Sequence, residues 1–412
     1  MSTTAAAADA SLIDSRTAAW RLLVTVLIVT LGNSSMYAVS VVLPAVQTEF
    51  GITRANASLP YTAMMICLGL GGLWTGRWAD RWGITRVLWI GAAAVCGGFV
   101  LAALAPNIWT FGLGHGLLGL LGGASTFAPL MADTSLWWQR RRGIAVAICA
   151  SGNYVAGTVW PPLAQWGIDS IGWRPTYAAM GLFCGIGMAL LALLMRQRPP
   201  AVTAEPSAPV VGVVKTPGER PFGLSPGRAQ MLLGVAGVAC CVAMSMPQVH
   251  IVAYCTDLGY GAARGAEMLS LMLASGIASR LISGWICDHI GGIRTLLLGS
   301  ALQGLALLLF LPFDGLVPLY IISAMFGLFQ GGIVPSYAII VREHFPAREA
   351  GARVGAVIMA TLLGMALGGW LSGWIFDLTG GYRAAFVNGI GWNLLNFGVA
   401  GFLYWRTRHA ER

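Results

Sequence analysis

Arg280 is the residue whose chemistry most needs a partner. It lies well inside an apolar run, about 12 Å along a helix from Asp288 at the end of that run. A guanidinium at that depth costs at least ~2.5–3.5 kcal/mol on insertion scales. No acid sits one turn away, because positions 276 and 284 are both glycine. A planar guanidinium matches a carboxylate through two parallel hydrogen bonds, so an anionic substrate is the simplest partner. The competing reading is an arginine that snorkels to the inner interface or bonds neighbouring carbonyls.

His250 follows Pro247, which removes a rung of the helix ladder and releases local carbonyls. An imidazole beside a bound carboxylate would take up a proton together with the anion, which is the thermodynamic core of symport. The alternative is a hydrogen-bonded packing histidine near the outer interface. His115, within Gly112-x-Gly114-His115-Gly116, is open to the same two readings. Asn33 and Tyr37, Tyr61, Asn153, Gln330 and Tyr337 are further candidates to line a substrate cavity. Polar side chains in membrane spans otherwise bond across helices, at roughly 0.6 kcal/mol each. The sequence has no paired acids, activated nucleophile or metal-ligand spacing, so no enzyme, cofactor or metal site is expected. The eight cysteines all fall in or beside apolar runs without C-x-x-C spacing and read as small apolar residues.

The elements that must hold these residues follow from composition. Only 10% of residues are charged and the mean hydropathy is +0.72, whereas a soluble domain carries about 25% charge. Lipid is therefore the main solvent, and long apolar runs select helices over a barrel. Twelve spans are expected, near 20–46, 57–76, 86–105, 109–132, 143–166, 174–195, 229–254, 265–287, 293–313, 315–341, 351–375 and 383–405. The fold class is thus an all-α membrane protein with twelve transmembrane helices. The 55 glycines suit close helix packing, and Trp20, Trp109, Trp173 and Trp405 are placed as an interfacial belt.

Twenty of the 25 lysines and arginines fall on the segments that share a side with the N-terminus, four (Arg54, Arg174, Arg264, Arg383) fall on the other side, and Arg280 lies within a span. That bias puts both termini in the cytoplasm of a cell with an inner membrane. The net charge of +9 then faces anionic lipid head groups and requires no nucleic acid. Residues 1–195 and 229–412 carry six spans each, and the proline-rich segment 196–228 is expected to be a cytoplasmic tether.

The two halves repeat. Gly76, Asp80, Arg81, Gly83 and Arg86 join spans 2 and 3, and Gly284, Asp288, Gly291 and Arg294 recur 208 residues later between spans 8 and 9. Gly172-Trp173-Arg174 is echoed by Gly381-Tyr382-Arg383. The G-x-x-x-D-R-x-G-x-x-R loop resembles the signature of the major facilitator superfamily over essentially the whole chain. The resemblance implies two pseudo-symmetric six-helix halves with a mid-membrane site between them. These loop residues would then act in gating, each Asp capping a helix end and pairing with an arginine across its half.

A narrower resemblance is to bacterial monocarboxylate transporters and oxalate/formate exchangers. It is carried by Glu49-Phe50-Gly51-Ile52-Thr53-Arg54, Trp137-Trp138-Gln139-Arg140-Arg141-Arg142-Gly143, Pro161-Pro162, Met246-Pro247-Gln248-Val249-His250 and Arg280-x-x-x-Gly284-x-x-x-Asp288. Monocarboxylate transporters place an Asp one turn before the span 8 arginine and often a basic residue in span 1. Here Gly276 and the uncharged Asn33–Tyr37 patch stand there, leaving His250 as the proton carrier. Oxalate exchangers use a second basic residue in span 11, which residues 351–371 lack beyond Arg353. One fixed cation suits one carboxylate, since a dianion would bury an uncompensated charge. The expected function is proton-coupled transport of a small monocarboxylate by a monomer. The alternatives are a carboxylate exchanger, an aromatic-acid transporter or a transporter-shaped membrane sensor.

Overall fold

The computed structural model describes residues 12–197 and 221–410. Most of the expected tether, residues 198–220, lies outside the described residues. The described chain is helical, without strands. Its helices are α1 (Arg16–Gly32), α2 (Ser34–Phe50), α3 (Arg54–Trp82), α4 (Ile84–Ala103), α5 (Ile108–Leu117), α6 (Ala128–Trp137), α7 (Arg142–Ile171) and α8 (Trp173–Leu194). There follow α9 (Pro226–Asp257), α10 (Ala262–Ile290), α11 (Gly292–Leu309), α12 (Leu316–Gln330), α13 (Ile333–His344), α14 (Ala347–Thr379) and α15 (Arg383–Ala410).

Ten helical stretches among the described residues are long and apolar enough to cross a membrane, α1–α2 and α12–α13 each counting as one. The fourth and twelfth expected spans fall outside that set for separate reasons. The fourth is interrupted by a π-helical turn at Leu118–Gly123 and a non-helical Phe127 between α5 and α6. The twelfth, α15, is 28 residues long but carries Asn388, Asn393 and Asn396, which lower its hydropathy. Asn393 and Asn396 are buried in protein, where Asn393 donates to Gln303 (3.2 Å) and Asn396 to Ser300 (2.7 Å). Polar groups facing protein rather than lipid are what a membrane helix tolerates.

By contacts the chain falls into two compact units, Met1–Ala38 with Ile66–Val211, and Val39–Met65 with Gly212–Arg412. The boundaries fall within α2 and α3. In the first unit α4 packs on α8 and α5, and α1 on α7 and α8. The pair Arg21–Asp133 pins α1 to α6: three N···O distances of 3.0–3.1 Å, both residues buried, with the Trp137 ring 4.5 Å from the guanidinium carbon. In the second unit α9 is central, against α14, α15 and α10, while α12 lies on α10. That last contact requires glycine, because a Cβ at Gly327 would collide with the Met272 carbonyl oxygen. Trp20, Trp109 and Trp405 are 59%, 74% and 53% exposed, as a lipid-facing belt needs. Trp173 corrects that expectation: it is buried edge-on against Phe111 and Tyr177, because the chain turns inward after Gly172.

Candidate functional site

Arg280 sits on α10 and is half-buried. Around it α10 is thin on one face, where a Cβ at Gly331 would meet the Gly276 oxygen at 2.6 Å and the Ser279 Cβ at 2.8 Å. The end of α12 is therefore pressed against the turn that carries Arg280, which brings Gln330 into the same neighbourhood. Gln330 is fully buried, accepts from Gln248 on α9 (3.1 Å), and its own Nε2 has no hydrogen-bond partner. Gln248, two residues before His250, was not among the sequence candidates. Its partner was, and the amide pair is the structure's addition.

His250 is fully buried on α9. Its Nε2 lies 2.7 Å from the Gly369 carbonyl oxygen and its Nδ1 3.1 Å from the Tyr382 hydroxyl. A carbonyl only accepts, so Nε2 carries the hydrogen and Nδ1 of the neutral ring accepts from the phenol. Tyr61 is brought to the same spot, since its ring fills the space that a Gly369 side chain would occupy (2.9 Å).

Tyr337 is buried and donates to Asn396 (2.8 Å), a bond that ties α13 to α15. In the first unit Asn33 stands at the break between α1 and α2. Its amide donates to Val29 O (2.9 Å) and to Thr126 Oγ1 (3.3 Å). Tyr37 is buried one turn further on. Asn153, on α7, keeps a buried Oδ1 without a hydrogen-bond partner. His115 is enclosed by the rings of Phe111 and Tyr177, with Nδ1 3.0 Å from Phe111 O and Nε2 3.5 Å from the Tyr177 hydroxyl. That aromatic setting is one of packing.

The repeated loops keep their symmetry but not the expected ion pairs. Gly83 and Gly291 adopt nearly the same left-handed conformation (φ 82° and 83°), and their N–H groups close the preceding helices onto Ala79 O and Cys287 O. Only glycine adopts such a φ freely. Asp80 and Asp288 are exposed and make no ion pair among the described residues, which corrects the expected pairing with arginine. Each lies in the last turn of its helix and points outward, so the backbone at glycine supplies the cap instead. In the second half an acid does take part: Glu343 accepts from Gly292 N–H at 3.2 Å. Gly76 and Gly284 have open space around them, and Arg81, Arg86 and Arg294 are exposed.

A cluster at the other end of α9 is better built than any of these. Asp377, near the end of α14, accepts the backbone N–H groups of Arg54 and Ala55, both at 2.8 Å. These are the first donors of α3, which have no partner within their own helix. The Arg54 side chain is 6% exposed. It donates to the Tyr382 hydroxyl (2.8 Å) and to Asp257 (3.2 Å), with its guanidinium 4.5 Å from the Phe376 ring centre. A cleft of about 290 Å³ opens beside it, lined in part by Gln47, Thr48, Thr256 and Asp257. In sequence Arg54 ends the Glu49–Arg54 motif and falls among the four expected outer-side charges, with no partner indicated. The Gly381-Tyr382-Arg383 echo is one signal of it in the sequence.

The Major Facilitator Superfamily family model matches residues 22–322 and 268–412 in two overlapping matches. The chain belongs to the major facilitator superfamily. It is a multi-pass membrane transporter, not an enzyme, and the similar proteins are transporters too. Monocarboxylate transporter 13 of Rattus norvegicus is 28% identical over 75% of this chain and 71% of its own length. Monocarboxylate transporter 11 of Homo sapiens is 30% identical over 56% of this chain, a match that spans 48% of the human protein. An uncharacterized major facilitator transporter of Bacillus subtilis is 23% identical over 81% of this chain and 82% of its own length. Among solved structures, a nucleoside transporter matches with TM-score 0.74 at 13% identity, covering 92% of this chain and 99% of that one. At that identity the likeness is one of fold.

Proposed function

We propose that this transporter moves a small organic anion, a monocarboxylate, in company with a proton and by alternating access. The observation that carries the reading is Arg280, a guanidinium on α10 roughly 15 Å from the helix end at Ile290. It is the one strongly charged residue that falls well inside an expected span. A fork of N–H donors at that depth fits a carboxylate in shape and charge. The names of the rat and human relatives favour the same substrate class. Gln330 and Gln248, bonded to each other, would supply neutral donors and acceptors for recognition of such an acid, and His250 is the candidate for the proton. Asn33, Tyr37, Tyr61 and Asn153 are proposed as lining. Tyr337 and His115 are engaged in helix packing and are left out of the proposed site.

In this reading residues 1–195 and 229–412 are the functional halves, working as a monomer in an inner membrane with both termini cytoplasmic. The distribution of 20 basic residues to one side and four to the other supports that orientation, with the cytoplasmic cations against anionic lipid. Uptake of labelled lactate- and pyruvate-like acids into proteoliposomes, with and without a pH gradient, tests the proposal. Expected are saturable uptake driven by an inward proton gradient and its loss in Arg280→Gln. Uptake that survives intact in that variant counts against the site. Exchange that needs preloaded internal acid and ignores the gradient would establish the antiport alternative.

A further inference from the structure

His250, Tyr382, Arg54 and Asp257 form one continuous hydrogen-bonded chain, and the direction of each bond is fixed by its ends. Gly369 O accepts from His250 Nε2, so Nδ1 of the neutral ring can only accept. The Tyr382 hydroxyl therefore donates to Nδ1 and uses a lone pair to accept from Arg54. The phenol is satisfied on both sides only while Nδ1 is unprotonated. Once Nδ1 carries a proton it becomes a donor, and the phenol oxygen faces two cationic donors while its own hydrogen must find another acceptor.

We infer that Tyr382 is a positioning residue that couples proton uptake at His250 to release of the Arg54 latch. The inference rests on the reading of His250 as the proton carrier. When a proton from solvent binds Nδ1, the Tyr382–Arg54 bond gives way. The guanidinium then loses one of its two side-chain partners and leaves Asp257 as the other. The N-terminus of α3, held through the same residue to Asp377, loosens with it. The charged and titratable groups around His250 fit this arrangement. Arg54 at the start of α3 is the cation an imidazolium would oppose. Asp377 on α14 already accepts two N–H groups. Tyr254 and Asp257 follow on α9 itself, and the Tyr254 ring packs edge-on against Tyr382. Arg264 and Glu267 on α10 bond each other, and Arg383 on α15 is exposed.

The latch has a built-in reporter. The amides of Arg54 and Ala55 have no helical acceptor and are protected by Asp377 alone, so their hydrogen exchange reads latch opening directly. Exchange is followed by mass spectrometry on full-length protein in nanodiscs at pH 8 and pH 5.5, without substrate, and corrected for the intrinsic pH dependence of amide exchange. In the native protein the corrected opening at these amides is expected to rise at least about fivefold at the lower pH. In His250→Gln it should be flat. Tyr382→Phe keeps the ring and loses the hydroxyl, so opening should be raised at both pH values and no longer depend on pH. A slope that persists in either variant, or a native protein with none, overturns the inference. Should His250→Gln fail to fold, Tyr382→Phe decides alone. Because no substrate is present, a failed monocarboxylate assay beside an intact pH effect would sink the cargo reading and leave this one standing.

Discussion

Asp377→Asn is the sharpest perturbation of the latch, because the structure fixes what is lost. Each carboxylate oxygen accepts one N–H at 2.8 Å from the first turn of α3. Charge-assisted hydrogen bonds contribute about 1.5–3 kcal/mol each, and a negative charge at a helix N-terminus adds about 0.3–1 kcal/mol. Asparagine keeps one acceptor and turns an NH2 group toward the second N–H, so one bond and the charge are lost together. Asp377 is exposed, and water recovers part of that loss. A net weakening of about 2 kcal/mol remains, which converts to about thirtyfold in the ratio of closed to open latch. Hydrogen exchange at Arg54 and Ala55 should accelerate by that factor at constant pH. Exchange elsewhere in α3, protected by its own helical bonds, should change little. Asp314→Asn, an acid outside the cluster, serves as the control and should leave Arg54 and Ala55 unchanged. If Asp377→Asn leaves their exchange within twofold of the native rate, Asp377 does not hold the helix and the latch as described is wrong.

Three further outcomes are expected. Arg280→Gln should weaken carboxylate binding by roughly a hundredfold, the loss of a bidentate charge-assisted pair at about 3 kcal/mol, while Arg280→Lys keeps part of it. A thermal-shift titration of each purified variant measures both. Asp133→Ala leaves the Arg21 guanidinium buried without its carboxylate and should cost about 3–5 kcal/mol. The double replacement Arg21→Met with Asp133→Leu should recover most of that loss in denaturant unfolding, and equal instability of the two would argue against the pair. Gly327→Ala drives a methyl into the Met272 carbonyl oxygen and should destabilise the second unit by at least about 1–3 kcal/mol. Gly76→Ala, with open space around it, should be near neutral in the same melt.

The fold was legible because solvent dictates it. With so few charges and such long apolar runs the backbone has only helices available, and most spans fall where hydropathy put them. What hydropathy misjudged was local chemistry. The fourth span is broken where Gly119, Gly122 and Gly123 let the chain slip into a π turn. Trp173 was counted with the belt because depth along the chain resembles depth in the membrane, yet a helix start after Gly172 turns it inward. Asp80 and Asp288 carried a strong motif, but a motif records that a residue is needed in some state and says nothing about which partner it holds in this one.

The latch was out of reach for a different reason. Periodicity and charge counting read each residue against the membrane, whereas Arg54 is defined by residues 203 and 323 positions away. There was nevertheless a trace of it. Four cations depart from the charge bias by falling on the expected outer side, and three of them are bound to particular acceptors. Arg54 is held by Asp257 and Tyr382, Arg174 donates to Ala103 O at 2.8 Å, and Arg264 pairs with Glu267. A positive charge on the side expected to be translocated runs against the bias from which the orientation is inferred. For Arg54, Arg174 and Arg264 a specific carbonyl, hydroxyl or carboxylate in the folded protein offsets that disadvantage. In a chain with this few charges, the exceptions to the bias are therefore the first places to look for latches.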